Sequence, residues 1–391
     1  MTDPYGLESI SLQWLRAKPG QKWARYPGDL AAWVADMDFP PPPAVLTALR
    51  NTTGSGDFGY PDWRRATGGS PAEQAFIARC ARRYGWQVGL GELMELNDVV
   101  QGIQIVLHTS TAPGDRIVVH TPIYPPFLSS VEDSGREVVR VPAHTSSTSP
   151  SGWTFDHSAL DAELTARPAT ALLLCHPHNP TGHVFSETEL RELAALAERH
   201  DLLIISDEIH ADLTYAPLRH QPMALFAPDR TVSIHAASKA FNLAGLRYAV
   251  AHFGSVAAQR RVKALPGHLW GAPNLHGVAA TTAAWNDGDE WLAAVLVHLD
   301  RQRHLLADLL REALPTVGYH VPAATYLAWL DCRALGWGDD PSRVFAERGV
   351  RLSEGPNFGV EGRGCTRLNF ATSSTILRDI VTRMAQVGVQ A

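Results

Sequence analysis

The stretch ALLLCHPHNPTGHVFSETELRELAALAERHDLLIISDEIH (171–210) reads as strand, turn, helix and strand. ALLLC (171–175) and LLIIS (202–206) are short, unbroken apolar runs, which suit strands covered on both faces. Asn179-Pro180-Thr181-Gly182 breaks the chain into a turn. Ser186 followed by Glu189 makes a capping box, and Leu190, Leu193, Ala194 and Ala197 then recur at helical spacing. A strand–helix–strand unit of this kind joins parallel strands by a right-handed crossover, and it predicts an α/β fold.

The same signature spreads outward. RIVVH (116–120), TVSIH (231–235) and YAVAH (248–252) repeat the apolar run and extend the predicted parallel sheet. EWLAAVLVHLDRQRHLLADLLREAL (290–314) predicts a long amphipathic helix, after which strands and helices mix in a smaller unit. Residues 1–45 read as irregular, with Pro40 to Pro43 as an extended run that cannot be helical. The expected organisation is an N-terminal segment (1–45) packed with the small domain, a large domain (46–285) and a small C-terminal domain (286–391).

At 391 residues, 45% hydrophobic and 19% charged, the composition is globular and the chain too long for one core. A net charge of -6 argues against a nucleic-acid-binding surface. Cys80, Cys175, Cys332 and Cys365 form no CxxC pair and read as free thiols of a reducing compartment. MTDPYGLESISLQW lacks a basic segment followed by an apolar run, and no stretch suits a bilayer; a cytoplasmic protein without membrane contact is expected.

Ligands of open α/β sheets collect at the carboxyl ends of the strands, where the unusual polar residues of this chain stand. ASKAFNLAGLR (237–247) puts Lys239 just after a strand and a short turn. Partial burial there favours the neutral amine that a Schiff-base lysine needs; a surface loop lysine is the plain alternative. Asp207 closes LLIIS, where a carboxylate can keep the ring nitrogen of pyridoxal 5'-phosphate (PLP) protonated. A helix cap is the alternative, or a metal site with Glu208 and His210, for which no third spaced ligand is evident. Asn179 can donate to an oxygen of the cofactor ring. His176, His178 and His183 look like a metal cluster, but a proline-broken turn points them apart, so no metal is expected. In DVVQGIQIVLH (98–108), Gly102, Ile103 and Gln104 read as a phosphate cradle at a strand-to-helix turn.

Asn-Pro-x-Gly, then Asp three residues before a histidine, then Ser-Lys-x-Phe-x-x-x-Gly-x-Arg resembles, in this order and spacing, the fold-type I PLP enzymes. More narrowly, the chain resembles the MalY/PatB branch of cystathionine β-lyases. WVADMDFP (33–40), FGYP (58–61), TPIYPPF (121–127), SDEIHADL (206–213), ATYLAWLDCR (324–333) and RLNFAT (367–372) carry the likeness over nearly the whole chain. The resemblance implies the aspartate-aminotransferase fold, with a mostly parallel sheet flanked by helices and a smaller α+β C-terminal domain. It implies that Lys239 carries PLP and moves the Cα proton, that Asp207 pairs with the ring nitrogen, and that Asn179 bonds the ring hydroxyl oxygen. His210 stands where classical aminotransferases have a tyrosine. Tyr124 would stack on the ring, and Gly102, Ile103, Gln104, Ser238 and Arg247 would hold the phosphate. Tyr60 would reach the phosphate from the neighbouring subunit of a homodimer with shared active sites. Arg367 would clamp the substrate carboxylate, with Asp36 and Tyr60 also at the substrate; a structural salt bridge is the alternative for Arg367. Ala236, where many relatives have serine, and His176 depart from the pattern. The implied reaction is β-elimination from a cysteine S-conjugate, giving thiol, pyruvate and ammonia. An aminotransferase, a specialised PLP enzyme of natural-product biosynthesis and a regulatory binding protein are the rival readings.

Overall fold

Eight strands lie side by side at the centre of the computed structural model, which describes residues 3–63 and 67–386. In chain order they are β1 (Leu93–Leu96), β2 (Arg116–Thr121), β3 (Glu137–Thr145), β4 (Trp153–Phe155), β5 (Ala171–Cys175), β6 (Leu203–Asp207), β7 (Thr231–His235) and β8 (Ala249–Phe253). Their spatial order is β1-β8-β7-β6-β5-β2-β3-β4. The five strands from β3 to β7 in that row are parallel, while β4 and β8 run against their neighbours.

Alternate residues explain why these runs are apolar throughout. Ile117, Val119, Leu173 and Ile205 pack with Ile103, Val106 and Phe127 on one face. Val118, Leu172, Leu174 and Ile204 meet Leu160, Leu190 and Leu193 on the other. With both faces covered, every position must be apolar. The helix Glu187–Arg199 has the expected capping box, Ser186 Oγ accepting from Glu189 N–H while the Glu189 carboxylate accepts from Ser186 N–H at 2.8 Å.

YAVAH corrects the parallel expectation. Its strand, β8, pairs antiparallel with β7 because only turns and a 3-10 segment join them, and a parallel return needs a longer crossover. That reversing link carries Ser238, Lys239 and Arg247. The N-terminal 45 residues are also more ordered than expected. Leu12–Arg16 and Gln21–Ala24 are short helices, and Leu30–Ala31 pairs with Val350–Arg351. The proline run ends in a helix, Pro43–Ser55, since proline at the first helical position lacks only an N–H that needs no partner.

Beyond the long helix Asp289–Ala313, four strands form an antiparallel sheet. They are β9 (Gly318–Tyr319), β10 (Leu327–Asp331), β11 (Ser353–Glu354) and β12 (Cys365–Asn369), in the order β9-β10-β12-β11. β12 faces the large sheet's carboxyl edge across the segment 33–39, whose carbonyls bind side chains from both sides. Asn369 donates to Val34 and Asp36, and Asn242 to Met37 and Phe39, all at 2.7–2.9 Å.

Candidate active site

Lys239 lies in the turn immediately after β7, half-buried, and its Nζ donates to the Ala35 carbonyl at 2.9 Å. Tyr326 Oη donates to the same oxygen at 2.7 Å. Burial lowers the lysine pKa, with Arg367 adding to this and Asp36 and Asp207 opposing it. The amine therefore loses its proton more readily than a surface lysine.

Asp207 ends β6 and is buried. Among the described residues the one hydrogen bond of its carboxyl group is from Ile209 N–H to Oδ1 at 3.0 Å. Burial raises its pKa to about 7, and Glu208 adds to the rise, against the Ile209 N–H and Lys239. A carboxyl so placed lacks a cationic partner, which a protonated ring nitrogen would supply. Glu208 is committed elsewhere. It accepts from Ser206 Oγ, Ser233 Oγ, Met223 N–H and His220 Nε2 at 2.7–3.2 Å. It therefore joins neither Asp207 nor His210 in a metal site.

Arg367, on β12, is 5% exposed. Nη1 donates to Asn179 Oδ1 and Nη2 to the Trp33 carbonyl and Ser353 Oγ, each at 3.1 Å, while Nε has no partner. No carboxylate lies within ion-pair distance among the described residues, so the structural salt bridge is not found. Burial brings the guanidinium down to about 10. A buried cation without a counter-ion is costly, and an anionic ligand would relieve it. Because arginine only donates, Asn179 must present its oxygen to Arg367, which leaves the amide NH2 free to donate. Tyr124 N–H donates to the Asn179 carbonyl at 3.1 Å. Tyr124 precedes the helix Pro125–Glu132, and burial pushes its phenol up. Lys239, Arg367 and Tyr124 line one cavity of about 520 Å3, together with Trp33 and Phe358.

His210 is buried, its Nδ1 has no partner, and burial lowers its pKa to about 3 with help from Lys239 and Arg367. It is a neutral ring with one nitrogen to spare. Arg247 pairs with Asp98, which caps the helix Val99–Ser110 by accepting from Gln101 N–H at 2.7 Å.

This cap corrects the expected strand-to-helix turn at Gly102. The helix starts at Asp98, not at Gly102, and Gly102 N–H is spent on the Asp98 carbonyl. Ile103 and Gln104 lie further inside the helix. The N–H groups left at the helix start are those of Val99 and Val100. Gly102 is small for packing, since a Cβ there would meet Leu96 Cδ1 at 2.7 Å. Ser238 shares the turn of Lys239 and is half-buried. Asp36 lies beside the main cavity rather than in it, lining a neighbouring one of about 160 Å3. Tyr60 is fully exposed. The three histidines of the Asn-Pro turn each have their own partners: the Gln221 carbonyl for His176, Thr181 and the His120 carbonyl for His178, and Ser151 and Glu189 for His183.

The sequence reading missed the Ala35 carbonyl as partner of Lys239, Tyr326 as a second donor to that carbonyl, and Ser353 as partner of Arg367. WVADMDFP and ATYLAWLD hold most of them, yet backbone carbonyls leave no residue signature. Val99 and Val100 were within reach, because an Asp before an apolar run marks a helix start.

The raised Asp207 pKa has a measurable consequence. Between the ordinary carboxylate value of 3.8 and about 7, the folded protein without ligand holds a proton that the unfolded chain has lost. Stability is thus lost as pH rises through that window. Asp207→Asn, which keeps the acceptor for Ile209 N–H, should stabilise the ligand-free protein at pH 8 by ~4 kcal/mol and barely at pH 4. Urea denaturation at the two pH values checks this; equal effects at both would contradict the burial of an uncompensated carboxyl.

A half-buried lysine with a lowered pKa, a buried carboxyl and an unpaired buried arginine at the edge of an α/β sheet define a lysine-centred enzyme of amino-acid-like anions. The chain belongs to the aminotransferase class I and II family, whose pattern matches residues 34–383. It is similar to the cystathionine beta-lyase of Corynebacterium glutamicum, at 34% identity over 96% of this chain and 98% of that one. It is likewise similar to the cystathionine beta-lyase PatB of Bacillus subtilis, at 32% identity over 91% of each. In three dimensions it matches the PLP-bound C-S lyase of Staphylococcus hominis with a TM-score of 0.90, at 27% identity and over 99% of each chain. The aspartate-aminotransferase fold is thereby established.

Proposed function

We propose that the chain is a PLP-dependent carbon–sulfur β-lyase that cleaves cystathionine or a related cysteine S-conjugate. The observation that carries this is Arg367, a buried cation without a counter-ion that shares a cavity with Lys239. The likeness to cystathionine beta-lyases over nearly the whole chain selects the lyase from the aminotransferases.

The residues present fit the cofactor. Asp207 offers an unshared carboxylate oxygen for the ring nitrogen, and Asn179 a free amide NH2 for the ring hydroxyl. Tyr124 offers an aromatic face, and His210 a spare nitrogen. Val99 and Val100 N–H at a helix start, with Ser238 and Arg247, suit the phosphate. Bound at Lys239, PLP supplies an electron sink for negative charge at the substrate Cα. Asp207 holds the proton on the ring nitrogen that makes this sink effective. Arg367 binds the α-carboxylate through its charge and the N–H groups left at Nε and Nη1, and so fixes the Cα–H bond. The Lys239 amine, released by the substrate, takes the Cα proton as general base. The Cβ–S bond then breaks and the thiol leaves. The remaining three-carbon fragment takes up water to give pyruvate and ammonia.

We infer a cytoplasmic homodimer as the working form, since Tyr60 and Phe58 of the FGYP segment stand exposed and would be covered by a partner. Purified enzyme should release pyruvate and thiol in equal amounts from L-cystathionine with no keto acid added. Turnover that appears only when a keto acid is supplied would make it an aminotransferase.

A further inference from the structure

The cavity above Lys239 is lined by five cations, Arg25, Lys239, Arg343, Arg351 and Arg367, and by one acid, Glu354. Four of the five have a role or a partner. Arg343 pairs with Asp340 at 2.9 Å and Arg351 with Asp29 at 2.6 Å. Under the lyase reading Lys239 serves the cofactor and Arg367 the α-carboxylate. Arg25 alone is left over. Among the described residues its guanidinium makes no ion pair and no hydrogen bond. Its guanidinium lies over the rings of Tyr26 and Trp33, 5.6 and 5.5 Å from their centroids.

That arrangement orients the charge. Tyr26 and Trp33 pack edge to face at 5.6 Å, and Trp33 Nε1 donates to the Lys22 carbonyl at 3.0 Å, so the rings are held. A guanidinium resting on aromatic faces keeps its N–H edges free for an anion. Trp33 also fixes the axis of the cavity. Its carbonyl accepts from Arg367, while its ring supports Arg25. Arg367 and Arg25 thus stand at the two ends of Trp33 within one cavity, so an arm that runs along Trp33 from a carboxylate at Arg367 reaches Arg25.

We propose that Arg25, supported by Tyr26 and Trp33, is a specificity residue that pairs with a carboxylate on the sulfur arm of the substrate. The favoured substrates are then cysteine S-conjugates whose departing thiol ends in a carboxylate. This rests on the lyase reading and deepens it.

The test compares S-(2-carboxyethyl)-L-cysteine with S-(2-carbamoylethyl)-L-cysteine, which match in size and differ in charge. Wild-type enzyme should prefer the carboxylate about tenfold in kcat/KM, mainly through KM, as a part-exposed charge-assisted contact allows. The preference should shrink as salt is raised. Arg25→Gln should bring the ratio close to one, and Arg25→Lys should retain part of it. A wild-type ratio near one, or an Arg25→Gln ratio like that of wild type, overturns the proposal while pyruvate release from both conjugates keeps the lyase reading. No pyruvate from either conjugate overturns the lyase reading and the proposal with it.

Discussion

Lys239→Ala is expected to lower kcat/KM for L-cystathionine by about 10^4-fold or more, the largest effect of any single substitution in the chain. Two functions go together. On the proposed mechanism the side chain anchors the cofactor, and its amine takes the Cα proton. Its setting supports both: the lowered pKa favours the neutral amine, and the Ala35 carbonyl at 2.9 Å gives the released amine a fixed partner. Since Tyr326 Oη holds that carbonyl at 2.7 Å, the alanine variant should keep its fold and its denaturation midpoint near wild type. Steady-state pyruvate release checks the first claim. A variant within tenfold of wild type would remove Lys239 from the mechanism.

Arg367→Ala should cost on the order of a hundredfold or more in kcat/KM. A charge-assisted contact is lost, and with it the alignment of the Cα–H bond. Arg367→Lys should recover only part, because a point charge cannot reach Asn179, Trp33 and the substrate together. The loss is separable from misfolding. Removing a buried cation that has no counter-ion leaves no stranded carboxylate behind, so the alanine variant should unfold no more easily than wild type. Kinetics and urea denaturation of the two variants decide it. An unchanged kcat/KM would make Arg367 structural.

Much of this site was legible in the sequence because strand ends announce themselves. LLIIS stops at Asp207, TVSIH runs into Ser238-Lys239, and ALLLC into Asn179; each apolar run fixes where the next polar residue stands. The fold was legible for the same reason, since double-sided burial writes itself as unbroken Val, Ile and Leu. What could not be read depends on contacts distant in sequence. Arg367 lies 188 residues from Asn179, and Lys239 lies 204 from Ala35. Nothing local in TRLNFAT says that the arginine is buried without an acid. The antiparallel turn of YAVAH escaped because an apolar run carries no direction. The helix start was set a turn too late because Gly102 suggested backbone approach to a ligand, when its lack of a side chain serves Leu96 and Ile234.

Borohydride reduction of the purified holoenzyme, followed by peptide mapping, tests most directly whether this cavity is the cofactor site. A single phosphopyridoxyl group should appear on Lys239, in the peptide that contains ASKAFNLAGLR, and Lys239→Ala should carry none. Label on Lys18, Lys22 or Lys263 instead, or none on wild-type protein that retains its lyase activity, would contradict the assignment of the site.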